Sequence, residues 1–532
     1  MQRAGLMVQD LKRQMESRFR MRRSLVCSVL VATAAALTAL PAWSQVEEDL
    51  FVPIGAEGLG LDPTLPHIAA VPSGMAPAYG QRPVDQSDWR FDFHGFFNVP
   101  LKIGINQRDE TVRGSGESKY VLHSPPVVPG DKETWSYTGV VPRLYSQMFF
   151  SFGNDRVTGN LSLVAEQTSV SSAFFDPPSQ AGIHDAFLTV TPFVTPCFRL
   201  RINVGAFSTR YGVMGEYDEG RMGIPLIARI NGVGESMVGV WQLGENWKLL
   251  FEQGIVGQSN KASITTIPDG WNGFADTNEG STFVNHLHAG LNFKGVATLA
   301  GHYITALSHD DRATNSLGHD GNLRILGADL RLTMGRFGHL YLGFAHADAS
   351  YARSVSRIIE VLNAPGGPGL MRNYFGEDSQ GNGTLTTFGG QYDLSLGALL
   401  SYPVPFTLDG PDLVLSLFGM QTHVTSEQLE YDGITKRKFG GELSYSLLSW
   451  LATSVRWDRV DPNVDFQYTS FSILSPRLIF RTDWASTDQI TLQYSRWFNG
   501  SMTTVTAGYP PREDPTVVPD QDMVSLTATM WW

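Results

Sequence analysis

Cysteine is almost absent from this sequence, which contains only Cys27 and Cys197 in 532 residues. Two cysteines cannot build a disulfide framework or a cysteine-ligated zinc site, so both classes are excluded. Charged residues are also scarce, at 17% against about 25% in ordinary soluble domains. The formal net charge is -12, which argues against nucleic acid as a partner, since nucleic-acid-binding proteins normally carry a basic patch or stripe. The apolar content of 42% is nonetheless ample for a core, so disorder is not expected.

Long apolar runs are missing except near the start of the chain. The run Leu25–Leu40 follows four arginines and is broken by Pro41, after which Ala42-Trp43-Ser44 places small residues where a signal peptidase reads. This three-part pattern predicts a cleaved secretory signal peptide over residues 1–44. The alternative is a single transmembrane anchor, but the run is shorter than the ~20 residues that span a bilayer comfortably. No later segment has enough consecutive apolar residues for a transmembrane helix.

Alternation of apolar and polar residues is the main pattern of the remaining chain. From Phe91 onward, apolar residues occupy every second position and Asp92, His94 and Asn98 lie between them. A period of two is typical of β-strands with one apolar and one polar face. We therefore expect an all-β fold. Eighteen candidate strands begin near residues 90, 143, 157, 184, 197, 233, 247, 283, 296, 322, 337, 384, 412, 438, 450, 465, 488 and 522.

The links between these strands alternate in length. Short links such as Gly153-Asn154-Asp155 and Lys294-Gly295 take turns with long ones such as residues 107–142. A β-sandwich has no reason to keep this rhythm, whereas membrane barrels have short periplasmic turns and long extracellular loops. The sequence therefore predicts a closed antiparallel transmembrane β-barrel of 18 strands, and the weaker pattern over residues 402–470 leaves 16 open. Tryptophans near strand ends are expected in interfacial girdles, namely Trp89, Trp247, Trp450, Trp484 and Trp497.

The last strand carries a more specific signal. Its apolar positions are Val524, Leu526, Ala528, Met530 and Trp532. This segment closely resembles the terminal strand of Gram-negative outer-membrane proteins, which ends in an aromatic residue and is read by the barrel-assembly machinery. The alternative is an ordinary edge strand, although an exposed amphipathic edge is an aggregation liability. Together with the signal segment, the alternation and the loop rhythm, it resembles the outer-membrane β-barrel class over residues 89–532, without a motif that selects one family.

This resemblance implies location in the cell outer membrane and the function of a porin, through which small hydrophilic solutes or ions diffuse passively. The implied partners are outer-membrane lipid, lipopolysaccharide, the barrel-assembly machinery and small solutes. A homotrimer is the family-level expectation, and neither a cofactor nor a metal is expected. Two alternatives stay open: a channel for hydrophobic compounds with an N-terminal hatch, and a structural or adhesive barrel.

Two segments depart from the alternation. Residues 45–88 contain six prolines without a period, which favours a periplasmic leader. The alternative for them is a short plug, like the N-terminal hatch of fatty-acid channels. In residues 351–376, helical spacing predicts a short helix on an external loop. The residues with that spacing are Val355, Ile358, Ile359 and Leu362.

Charged residues on polar strand faces would line a barrel too wide for side chains to fill. The basic wall residues expected at a constriction are Arg199, Arg201, Arg331, Arg456, Arg477 and Arg481. The long link 208–232 carries the acids Glu216, Asp218 and Glu219. The arrangement looks like that of general porins, whose third external loop folds inward so that its acids face wall arginines, and such a field would bias ions. Alternatively, each arginine only pairs with a neighbouring carboxylate, and the acids form a solvated loop.

Enzymatic motifs are incomplete. The segment around Ser236 misses the G-x-S-x-G elbow by one residue and lacks its strand–helix context. His286 and His288 share one strand face, but a catalytic zinc site needs three protein ligands and no third has a recognisable spacing. We therefore expect two polar lumen histidines and no enzyme.

Overall fold

A computed structural model shows a chain built almost wholly from β-strands. It describes residues 89–105, 144–154, 156–167, 180–195, 197–211, 228–259, 280–294, 296–310, 319–334, 338–355, 358–362, 364–365, 368–376, 378–396, 413–448, 450–466, 470–481, 487–501 and 520–531. All of these belong to the unit Phe51–Trp532. The predicted signal segment and residues 45–88 lie outside the described residues. No helix in the described ranges has the length and apolar character that crossing a membrane requires.

One sheet contains twenty strands. They are β1 (Arg90–Gly104), β2 (Leu144–Gly153), β3 (Val157–Gln167), β4 (Gln180–Thr195), β5 (Phe198–Tyr211), β6 (Ala228–Gln242), β7 (Trp247–Ser259), β8 (Gly280–Phe293), β9 (Ala297–Asp310), β10 (Gly321–Thr333), β11 (His339–Ser350), β12 (Ile359–Val361), β13 (Ala364–Pro365), β14 (Gly383–Ser395), β15 (Leu413–Ser426), β16 (Thr435–Leu448), β17 (Leu451–Asp461), β18 (Phe471–Arg481), β19 (Thr487–Phe498) and β20 (Gln521–Trp531). Between β11 and β14 lie β12, β13, a helical turn at Ala352–Ser354 and the short helical segments Pro368–Leu370 and Met371–Phe375. The other eighteen strands have at least 10 residues each.

The long strands pair antiparallel in chain order. Each pairs with the next, and β11 pairs directly with β14 because β12 and β13 belong to the link between them. The first strand also pairs with the last, with Phe96 opposite Trp531 and Gly104 opposite Met523. Every long strand therefore has a hydrogen-bonded strand on each side.

The expectation of an all-β antiparallel chain is confirmed. Each of the eighteen expected strand starts corresponds to a long strand, and the largest difference is at β18, expected near residue 465 and observed from Phe471. The segment 402–470, where the pattern was weakest, contains β15, β16 and β17. The period of two located the strands, and the short links limited where one strand could end and the next begin.

Side-chain exposure on the strands is the inverse of that in a soluble protein. On β10, Leu326 is 56% exposed whereas Asp329 is 7% exposed. On β18, Leu478 is 41% exposed whereas Arg477 is 4% exposed. Water would favour the opposite arrangement, because burying charge is costly and burying leucine is favourable. The apolar face of the sheet is thus its outer surface, and the polar face is turned inward.

A short helix was expected within residues 351–376, and the described residues there include the helical turn Ala352–Ser354 and the short helical segments Pro368–Leu370 and Met371–Phe375. No helix runs through the residues whose spacing predicted it. Residues 359–361 instead form β12, which pairs with β6 and places Ile359 opposite Ile230. This pairing is available because β7 covers β6 only from Val233 onward, which leaves the start of β6 with an open edge. The segment is also buried in the main apolar cluster rather than lying on an external surface.

Candidate functional site

The inward face of β5–β10 carries a group of charged and imidazole side chains, which we name the β5–β10 cluster. Its members are Arg199, Arg201, Glu252, His286, His288, His302, Asp329 and Arg331. Cross-strand register brings them into one band, since Glu252 lies opposite His288, and His288 lies opposite His302. Neighbours directly opposite on antiparallel strands are about 5 Å apart, close enough to interact. The cluster is therefore a product of register rather than of sequence proximity.

Glycines let the imidazole rings lie flat against the wall. A Cβ atom on Gly254 would come within 2.1 Å of His286 Nε2, and one on Gly327 within 2.3 Å of His302 Nε2. Glycine inside a strand often marks such a close approach of another group. In the sequence, Gly254 and Gly327 were therefore the available indication that the His286 and His302 rings pack there.

The geometry around Ser236 does not match nucleophilic catalysis. Its hydroxyl donates a hydrogen bond to Glu252 Oε1 at 3.1 Å, and His286 Nδ1 lies 4.0 Å from the same oxygen. A catalytic serine needs an imidazole next to its hydroxyl, whereas here the carboxylate takes that place. His302, which sequence reasoning missed, joins His286 and His288, yet no group of three or more potential ligands among the described residues could hold a metal ion.

Two of the expected wall arginines form buried ion pairs, Arg477 with a residue two strands away on β16 and Arg456 with a residue of its own strand. Arg477 Nη1 donates to Glu442 Oε1 at 3.1 Å, and its Nε donates to Gln493 Oε1 at 2.7 Å. Arg456 donates to Asp458 through Nε at 2.8 Å and Nη2 at 2.6 Å. All four charged side chains are buried. Such bidentate and charge-assisted bonds fix the side chains and balance their charge within the wall.

The remaining predicted residues are spread over the sheet. Arg481 ends β18, where its backbone N–H donates to the Trp450 carbonyl at 2.9 Å. The acids Glu216, Asp218 and Glu219 lie outside the described residues. On β20, Leu526, Ala528 and Met530 are exposed on the outer face and Val524 is half-buried, whereas Trp532 lies outside the described residues.

A further component of the site was not expected: the described residues of 351–382, which we name the inward segment, namely 351–355, 358–362, 364–365, 368–376 and 378–382. The Asn231 N–H on β6 donates to the Ile358 carbonyl at 2.7 Å, and the Ser308 hydroxyl on β9 donates to the Ser354 carbonyl at 2.6 Å. Its other end reaches β16, where Lys436 Nζ lies 5.8 Å from the centre of the Tyr374 ring. The segment thus contacts widely separated strands of the same inward face.

Around the inward segment the wall itself is apolar. The inward residues there belong to one buried cluster with the segment and include Val256, Val284, Ile304, Ala306, Leu323, Ile325, Ala345, Ala347, Ala349, Leu385 and Val424. Along β8 the inward positions change from Val284 to His286 and His288, so the apolar zone gives way to the β5–β10 cluster. The sequence signal for this apolar zone was a stretch of strand with apolar residues on both faces, such as Ile325 next to Leu326.

No protein-family model matches the chain. No curated protein matches it either. Solved structures do match the chain at low sequence identity. The outer membrane channel DcaP of Acinetobacter baumannii is 9% identical, with 84% of this chain and 97% of that chain covered at a TM-score of 0.36. OccAB4 of Acinetobacter baumannii is 11% identical, with 85% of this chain and 100% of that chain covered at a TM-score of 0.40. OccK5 (OpdH) of Pseudomonas aeruginosa is 9% identical, with 84% of this chain and 98% of that chain covered at a TM-score of 0.37. The solved structures similar to this chain are Gram-negative outer-membrane porin-like barrels.

Proposed function

We propose that this protein is an outer-membrane porin, a closed transmembrane barrel of eighteen strands through which small hydrophilic solutes or ions diffuse passively. The observation that carries the proposal is the inversion of its faces, with leucines such as Leu326 and Leu478 outside and ionisable side chains such as Asp329 and Arg477 inside. A lipid environment stabilises this arrangement and a water environment does not. The pairing of β1 with β20 supports closure, because lipid provides no partner for the backbone groups of a strand edge.

The strand lengths and tryptophans support the same proposal. A tilted strand needs about 9–11 residues to span a bilayer, and the long strands have at least 10. Trp89, Trp247 and Trp450 are exposed at the starts of β1, β7 and β17, which run in the same direction. They would form a girdle at one interface. Trp497 was expected there too, but it is buried at 1% exposure in the apolar cluster, and Trp484 lies outside the described residues.

Assembly and location follow as further parts of the proposal. Residues 1–44 would direct export and be cleaved, and residues 45–88 would form a periplasmic leader or short plug. The outward apolar positions of β20 would be read by the barrel-assembly machinery, since Leu526 and Met530 are displayed on the outer face. Outer-membrane lipid and lipopolysaccharide would surround the barrel, and a homotrimer would be the assembly.

Planar-bilayer conductance of residues 45–532 tests the proposed function. We expect large, stepwise, weakly selective currents, because a barrel of eighteen strands has room for water within it. A folded protein that carries no current would contradict the porin. If it instead takes up apolar compounds, and does so only with residues 45–88 present, it is a hydrophobic-compound channel with a hatch.

Ion selectivity tests the proposed constriction. Replacing Glu216 with Gln and Asp218 with Asn should shift the reversal potential in a salt gradient toward anions, because two acids facing wall arginines such as Arg199 and Arg201 would be lost. The matched control is Glu430→Gln with Asp432→Asn, which removes two acids from the turn after β15. Equal reversal potentials for wild type and the first variant would remove the link between β5 and β6 from the constriction.

A further inference from the structure

We propose that the inward segment is the gate of the channel and that the Glu427 carboxylate is the latch that holds it closed. This inference rests on the proposed porin function. It differs from the sequence expectation, which placed the constriction in the third long link.

The first support is the width that the segment crosses. It bonds to β6 through Ile358 and reaches β16 through Tyr374. Seven long strands lie between these two in the pairing order, namely β7, β8, β9, β10, β11, β14 and β15. In a closed ring of eighteen strands, β6 and β16 are therefore eight positions apart, where nine would be opposite. A segment that touches both extends between nearly opposite sides of such a ring.

The second support is how the segment is seated. Ile358, Leu362, Leu370 and Phe375 are buried, and they pack on alanines and aliphatic residues of the surrounding strands. Alanine side chains at 345, 347 and 349 on β11 leave room for the segment. Its strand pairing with β6 is limited to the three residues of β12, with one more backbone hydrogen bond at Ile358. Three paired residues hold an edge weakly compared with the long ladders of the wall.

The third support is the latch itself. Glu427 lies in the turn directly after β15 and is exposed, whereas most of the inward segment is buried. Its carboxylate accepts hydrogen bonds from the Ser379 hydroxyl at 2.6 Å, the Gly381 N–H at 3.2 Å and the Asn382 side-chain amide at 2.7 Å, and also from the Gln380 N–H. One exposed side chain thus fastens the whole C-terminal end of the segment.

The charge state of the latch suits this role. Partial burial by itself raises the pKa of Glu427, but the hydrogen bonds from Ser379, Asn382, Gln380 and Gly381 together lower it below its usual value. The carboxylate is therefore ionised at neutral pH, and hydrogen bonds to a charged acceptor are stronger than those between neutral groups.

Backbone conformation supports motion at the ends of the segment. Tyr351 at its start and Leu362 after β12 have positive φ values of 48° and 50°. Such conformations are strained for residues other than glycine and persist only when the surroundings impose them. Gly376, with a φ value of 98°, precedes the residues that bind Glu427, and Gly381, with a φ value of 90°, is one of them, so both supply hinge positions.

A disulfide lock tests the gate. Ile230 and Ile359 lie opposite each other in the β6–β12 pair, so Ile230→Cys with Ile359→Cys can be cross-linked in a Cys197→Ser background. In planar bilayers we expect the oxidised protein to remain closed, whereas the reduced protein should show the stepwise openings of the wild type. The control pair is Tyr303→Cys with Leu326→Cys, which lie opposite each other on the outer face of β9 and β10 and should leave conductance unchanged on oxidation.

Glu427→Gln tests the latch without a cross-link. We expect the open state to be populated about tenfold more, since the strong bonds to an ionised acceptor are replaced by weaker ones. Glu430→Gln, an exposed acid of the same turn, should behave like wild type. Identical currents in the oxidised and reduced lock, with Glu427→Gln unchanged, would overturn the gate and leave the porin intact. The absence of current in every variant and state would overturn the porin and the gate together.

Discussion

Replacing Glu442 with leucine should reduce the free energy of unfolding by about 3–5 kcal/mol, the cost of removing one partner from a buried ion pair. The carboxylate of Glu442 accepts from Arg477 at 3.1 and 3.2 Å, and both side chains are buried on the inward face. Without it, the buried guanidinium would keep its bond to Gln493 but lose its hydrogen-bonded carboxylate partner. Guanidinium-induced unfolding in detergent micelles measures the effect.

The double variant Glu442→Leu with Arg477→Met provides the control. Replacing both partners of a buried pair by apolar residues of similar volume is often neutral or stabilising, so the double variant should regain most of the stability. If the single variant cost less than about 1 kcal/mol, the pair would be acting like an exposed surface ion pair, and the inward face at this level would be in contact with water.

Replacing Leu326 with arginine should cost about 2–4 kcal/mol, the penalty for a cationic side chain at the middle of the lipid-facing surface of a barrel. Leu326 is near the centre of β10, on the outer face, opposite Tyr303 and His346. In the proposed membrane barrel this side chain faces the apolar interior of the bilayer, so the charge would have no partner there. Urea unfolding in liposomes compares the variant with wild type.

Leu326→Phe is the matched control and should unfold like wild type, because the position stays apolar. Arg324 provides a comparison within the chain, because it lies on the same outer face two residues closer to the start of β10. The free-energy cost of a charged side chain falls toward zero near the membrane interface. Equal stability of Leu326→Arg and wild type would place this face in water and contradict the membrane barrel.

The strands could be predicted because their determinants are local. Each long strand alternates between a face that contacts the outside and a face that is turned inward, and a shift of one residue would exchange the two. Short links such as Gly153-Asn154-Asp155 then fix where one strand ends and the next begins. The pattern therefore located all eighteen long strands, with the largest error at β18.

The inward segment could not be predicted in the same way. Val355, Ile358, Ile359 and Leu362 have helical spacing, but the edge of β6 offered hydrogen bonds that an isolated helix of that length cannot match. That edge exists because β7 pairs with β6 only from Val233 onward. A contact between residues 230 and 359 depends on the whole sheet, so no local signal reports it.

By itself, the sequence determined the all-β composition and which face of each long strand is apolar, because a period of two is read from neighbouring residues alone. It favoured 18 long strands but left 16 open. Only the tertiary structure decided the cross-strand partners. Register placed His302 opposite His288 and joined Arg477 to Glu442. It also turned a segment expected on an external loop into a buried crossing of the inward face. These contacts join residues far apart in the chain. Their free energy depends on the pairing and packing of the complete sheet rather than on local conformational preference.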